Sequence, residues 1–137
     1  TDLRHLAGAL DVAVSSLLRA EAPAPEEVGY VVRAGARRPI GSRAEGLVEE
    51  LLSPDLTDDF EMVHCVFAPG SGIEAPVRRP TQEVGYILDG QLELWIAGAH
   101  HALGPGDSFR VRGLPFRWAN PHAAPCCAIW VIAPPVY

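Results

Sequence analysis

With 137 residues, 48% of them hydrophobic, the chain is sized for one compact domain with a buried core and a small appendage. A formal net charge of −6 argues against a surface that grips a phosphate backbone, and no apolar run approaches the roughly 20 residues that span a bilayer. The opening TDLRHLAGAL lacks the basic stretch and long apolar run of a secretory leader, and a start on Thr1 instead of Met is the start expected of a fragment or a processed chain. All 11 basic residues are arginine, which is the usage of a GC-rich bacterial genome.

In chain order, Leu3, Leu6, Ala7 and Leu10 recur at helical spacing behind Thr1 as an N-cap, and Val14, Leu17 and Leu18 carry a second short helix. The proline-rich EAPAPEE, residues 21–27, reads as a linker. From Val28 onward short apolar runs alternate with Gly/Pro turns. VGYVVRAG starts as a strand, GLVEELLS is ambiguous, and FEMVHCVF is a strand closed by Pro69-Gly70. EVGYILDG and QLELWIAG predict a hairpin about Asp89-Gly90. HHAL, SFRVRG, FRWAN and CCAIWVIA complete the set, and many short strands at regular spacing define an all-β sandwich or barrel. Cys65, Cys126 and Cys127 are an odd set. Neighbours on a strand point to opposite faces, so Cys126 and Cys127 are expected as reduced thiols of a cytoplasmic protein.

The series PGSG, Glu83, GYILDGQLELWIAGAHHALGPGDSF, WANP and VIAPP resembles the small cupin barrel, over residues 28–137. The resemblance implies a double-stranded β-helix of jelly-roll type, preceded by one or two short helices. LRHLAGALDVAVSSLL resembles the last helices of a Xre-type helix-turn-helix domain. That order resembles bacterial regulators with an N-terminal DNA-binding domain and a C-terminal cupin sensor. It implies a helix-turn-helix remnant over 1–21, a linker over 22–27 and a barrel over 28–137.

Metal-binding cupins use His-x-His, three or four residues, Glu, six residues and Gly, with a fourth His four residues before an Asn. Here Glu83 and Gly90 fit the carboxylate and the glycine, but the two histidine positions are Val77 and Arg79. The second motif, from Gly106 to Asn120, is one residue short. Its ligand position falls on Phe116 when counted from Asn120 and on Arg117 when counted from Gly106. One carboxylate does not hold a catalytic transition metal, and a guanidinium stays protonated. No metal, no other cofactor and no catalytic residue is therefore expected. His100-His101 open a strand, where one side chain must face outward, and His122 lies in the Pro-flanked NPHAAP.

A carboxylate inside a barrel needs a partner. Arg79 either pairs with Glu83 as counter-charge in place of the metal, captures an anionic ligand, or turns to solvent. Strand alternation puts Val77, Arg79, Glu83 and Ile87 on one parity and Phe116 with Trp118 on one face. With His64, these seven are the expected ligand-binding residues of a mostly apolar pocket. Tyr86 is a weaker polar candidate, Phe116 alternatively plugs the emptied site as core, and Trp95 is a candidate anchor for dimer packing. The resemblance implies an effector-sensing, dimerising barrel of a DNA-binding regulator, not an enzyme. Its partners would be an unidentified small-molecule effector, DNA through a helix-turn-helix not complete in this chain, and a second copy, with no membrane. A metal-dependent cupin oxygenase or epoxidase, and a stand-alone binding barrel, are the alternatives.

Overall fold

In a computed structural model that describes residues 24–41 and 44–136, ten strands follow one another among the described residues. They are β1 (Arg38–Ile40), β2 (Leu47–Leu51), β3 (Glu61–Phe67), β4 (Ser71–Gly72) and β5 (Gln82–Asp89). β6 (Leu92–Ile96), β7 (Ala99–Leu103), β8 (Ser108–Arg112), β9 (Phe116–Asn120) and β10 (Cys126–Ala133) complete them. They form a six-stranded sheet in the order β1-β2-β3-β10-β5-β8 and a four-stranded sheet in the order β4-β9-β6-β7. The registered pairs are antiparallel. The all-β jelly-roll expectation holds. The ambiguous GLVEELLS forms β2, with Leu47, Glu49 and Leu51 turned inward.

The chain divides into two compact units, residues 1–38 and 39–137. The expected helix-turn-helix remnant lies outside the described residues. In the first unit, 3-10 turns at Pro25–Glu27 and Ala34–Ala36 replace the strand expected from Val28. The carbonyl of Glu27 accepts from the backbone N–H groups of both Tyr30 and Val31 at 2.9 Å, and Gly29 sits at φ +82°. That left-handed residue breaks the extended path the apolar run suggested. Arg33 closes the turn on the Glu27 carboxylate.

In the barrel, period-two sequence becomes period-two burial. Along β3 the inward residues are Glu61, Val63, Cys65 and Phe67; along β10 they are Cys126, Ala128, Trp130 and Ile132. β5 turns Glu83, Gly85 and Ile87 inward, and β9 turns Phe116, Trp118 and Asn120 inward. Each fully buried large apolar side chain contributes about 1.5–3 kcal/mol relative to exposure. Asn120 is satisfied where it is buried. Its Nδ2 donates to the carbonyls of Phe67 and Ala124 at 3.0 Å, and its Oδ1 accepts from the His122 N–H at 3.0 Å.

The hairpin expected at Asp89-Gly90 does not form: β5 pairs with β10 and β8, whereas β6 pairs with β7 and β9 in the other sheet. Asp89-Gly90 instead carries the chain from one sheet to the other. Gly90, at φ +81°, packs so close that a Cβ would lie 2.3 Å from the Pro125 carbonyl oxygen. The tight hairpin is the next one, β6–β7, closed by Ala97 and Gly98 at φ +50° and +85°. That two-residue turn with both φ values positive suits the twist of paired strands.

Candidate ligand cavity and its buried ion pair

The inner face of β5 places the carboxylate of Glu83 inside the barrel, 1% exposed. Four donors saturate it. Arg79 binds it in a fork, Nη2 to Oε1 at 2.6 Å and Nε to Oε2 at 3.0 Å. The Thr81 hydroxyl donates to Oε2 at 2.5 Å, and the Trp130 indole N–H donates to Oε1 at 2.7 Å. The chain bends at Pro80 and Thr81 just before β5, which returns Arg79 over the carboxylate four residues on. A bidentate guanidinium with two further donors is the arrangement in which a buried carboxylate recovers its desolvation cost. Of the three alternatives for Arg79, the structure shows the pair.

Gly85 makes room for this cluster. It stands opposite Trp130 of β10 and Phe109 of β8. The two rings meet edge-on with centroids 4.8 Å apart. A Cβ on Gly85 would lie 2.1 Å from the Phe109 ring.

Beside the pair lies a cavity of about 240 Å³. Its apolar walls include Leu47, Phe67, Phe116, Trp118, Trp130 and Ile132, and Arg79 and Glu49 are its charged lining residues. Phe67 meets Trp118 edge-on at 4.6 Å, and the Arg79 guanidinium carbon sits 5.5 Å from the centroid of the Phe116 ring.

Four of the seven residues expected to bind ligand, Val77, Arg79, Phe116 and Trp118, line this cavity. Glu83 stands behind Arg79 and reaches the cavity through it. Ile87 is fully buried core outside the lining. His64 is also outside the lining, because it shares the outward parity of β3 with Met62 and Val66. Tyr86, at 46% exposure, likewise points outward. Phe116 and Arg117 resolve the one-residue ambiguity of the second motif: Phe116 faces the cavity, and Arg117 lies on the opposite face with its guanidinium carbon 3.6 Å from the centroid of the Trp95 ring. Trp95 is covered by Arg117 and by His100, whose ring centroid is 4.9 Å away, which removes it as a bare dimer anchor.

Two members of the cluster escaped sequence reading. Thr81 carried a readable signal, since it stands two residues before Glu83. Trp130 is 47 residues away, and only the β10–β5 register brings it in.

A second polar cluster lies on the small sheet. Glu93 Oε1 meets His100 Nε2 at 2.6 Å, and Oε2 meets His122 Nε2 at 2.7 Å. Burial pushes the Glu93 carboxyl up, but the hydrogen bonds and charges of His122 and His100 outweigh it and hold the group below its ordinary value.

The positions at which a metal cupin holds its ion do not fit one here. Val77 and Phe116 have no donor atom, Arg79 is a cation, and the lone pairs of Glu83 are taken. Among the described residues no group of three or more His, Cys, Asp or Glu could hold a metal ion. No helix among them is long and apolar enough to cross a membrane.

Two antiparallel sheets with a partly open apolar cavity and a fixed polar group beside it define a small jelly-roll barrel. The chain belongs to the cupin domain family, whose model matches residues 63–132. None of the curated proteins matches it. Among solved structures, an RmlC-like cupin from Shewanella frigidimarina is similar at 18% identity and a TM-score of 0.67, covering 78% of this chain and 92% of that one. The cupin domain of an XRE family transcriptional regulator from Enterobacter cloacae is 26% identical with a TM-score of 0.58, covering 66% of this chain and 99% of that domain. The polyketide cyclase RemF from Streptomyces resistomycificus is 20% identical with a TM-score of 0.66, covering 76% of this chain and 78% of that one.

The last neighbour corrects the expectation that the chain is not an enzyme. A barrel of this fold supports catalysis in a polyketide cyclase. The histidines missing from the motif bear on a metal and not on catalysis in general.

Proposed function

We propose that this barrel is the effector-sensing, dimerising domain of a bacterial DNA-binding regulator. The observation that carries the reading is the apolar cavity built against an internally neutralised Arg79–Glu83 pair. It offers a partly open site for a small molecule on a barrel 26% identical to the cupin domain of an XRE family regulator. A ligand that binds two states of the barrel with different affinity shifts the population of dimers competent for DNA.

The outer face of the larger sheet supports self-association. Met62 of β3 and Val84, Tyr86 and Leu88 of β5 are each more than a third exposed there, and β10 joins the two strands. A contiguous apolar face of this kind suits a second copy.

The regulator reading is tested by immunoprecipitating the native protein from its own cells and sequencing the DNA recovered. Enrichment at discrete promoters that changes with growth medium is expected. Recovery no different from a mock precipitation sinks the reading. Light scattering tests the dimer, and Tyr86→Glu with Leu88→Glu should yield monomers.

A further inference from the structure

Resting on the reading of the cavity as a ligand site, we infer that its ligand is an uncharged, largely apolar molecule of about one ring, with a single hydrogen-bond acceptor such as a ketone, ester or amide carbonyl. Three features of the wall lead there.

The first is charge. Arg79 carries the cation that would attract an acid, but the Glu83 carboxylate lies 2.6 Å behind it and cancels its field. Glu49, the carboxylate in the wall itself, is engaged within the protein. An anion entering this cavity would lose its hydration and meet a dipole instead of a net positive charge, and that exchange is unfavourable for a desolvated ion. An uncharged acceptor has no such cost.

The second is an available donor. Arg79 turns Nε and Nη2 to Glu83, which leaves the Nη1 end of the guanidinium without a hydrogen-bond partner among the described residues. A guanidinium has five N–H groups in a fixed fork, so committing one edge leaves the other able to donate. The pair also fixes that edge, so a ligand carbonyl meets a donor already held in place.

The third is size and surface. A dry apolar cavity of roughly 150 Å³ accommodates benzene, so one of about 240 Å³ has room for a ring with a short substituent. Phe67, Phe116, Trp118 and Trp130 give it flat aromatic walls.

The test uses the whole chain and three probes of one skeleton: acetophenone, benzoate and ethylbenzene, titrated calorimetrically and by thermal shift. Acetophenone should bind about tenfold or more tighter than ethylbenzene, the worth of one hydrogen bond to a charged donor, and benzoate should be weakest. Benzoate binding as tightly as acetophenone would overturn the inference while leaving the cavity a ligand site. No binding by any of the three would overturn the cavity reading itself. Glu83→Gln adds a test with a gain as its signal. It keeps an acceptor for Arg79 and Trp130 but removes the cancelling charge, so benzoate should become the tightest of the three. An unchanged order in a folded Glu83→Gln protein contradicts charge cancellation. If that variant does not fold, the order in the unmodified chain still decides.

Discussion

The indole N–H of Trp130 donates to Oε1 of Glu83 at 2.7 Å, diagonally across the β10–β5 ladder. Trp130 stands opposite Gly85, one inward position along from Glu83, so its ring crosses a position without a side chain to reach the carboxylate. Trp130→Phe keeps an aromatic ring beside Phe109 and Phe116 but removes this donor together with part of the indole's buried volume. A hydrogen bond to a charged group contributes about 1.5–3 kcal/mol. Urea unfolding should show a lowered midpoint with an unchanged slope, equivalent to a loss of at least that order.

Arg79→Met leaves the Glu83 carboxylate buried without its counter-charge. Removing one partner of a buried pair costs about 3–5 kcal/mol. The Arg79 side chain keeps 20% exposure, so the lower end of that range is expected. The double variant Arg79→Met with Glu83→Gln should recover part of the loss. A double-mutant cycle reads the coupling directly, and additive effects would show that the pair contributes nothing of its own.

Gly85→Ala tests the aromatic meeting over β5. The new methyl would collide with the Phe109 ring, and overpacking of this kind costs about 1–3 kcal/mol. Phe109→Leu in the same background should recover stability. A thermal melt of the single variant matching that of the parent would show that Phe109 yields freely.

Glu93 gives the barrel an acid-sensitive contact. Its carboxyl is held below its ordinary value of 4.5 by His122 and His100 against the opposing effect of burial. A depressed folded value means stability that is present above the unfolded value and is lost as pH falls through the folded one. Urea midpoints taken between about pH 6 and about pH 3 should fall more steeply for the parent than for Glu93→Gln. Parallel curves would remove Glu93 from the acid response.

The thiols differ by face. Burial, then Cys127 and Asp89, push the Cys126 thiol up to about 11, and Cys65 is buried too. Thiolate is the reactive form. A disulfide reagent near neutral pH should therefore modify Cys127 alone in the folded protein, and all three cysteines after denaturation. Rapid modification of two thiols in the folded state would contradict this burial pattern.

The strands were legible because each inward face repeats every second residue, as in EMVHCVF and CCAIWVIA. Turn chemistry was legible less often. Asp89-Gly90 has the composition of a hairpin turn, yet the pairing of β5 with β10 and β8 decides that it crosses between sheets. Residues 28–31 are apolar enough for a strand, but Gly29 and the Glu27 carbonyl curl them into a turn. In the site, Glu83 and Arg79 were readable from motif spacing. His64 was misread because parity on β3 is set by Val63 and Cys65 facing inward. Trp130 was beyond reach, since nothing local to CCAIWVIA names the carboxylate it serves.

The saturation of Glu83 also bears on how a metal centre could be built in this barrel. Placing histidines at positions 77 and 79 would restore the outline of a metal motif, yet the carboxylate would still be held by Thr81 and Trp130. Those two donors would hold one lone pair on each oxygen, and the two freed by the loss of Arg79 would be left for an incoming ion. The bond directions of an engineered metal centre here would therefore be set in part by a hydroxyl and an indole that belong to no metal motif.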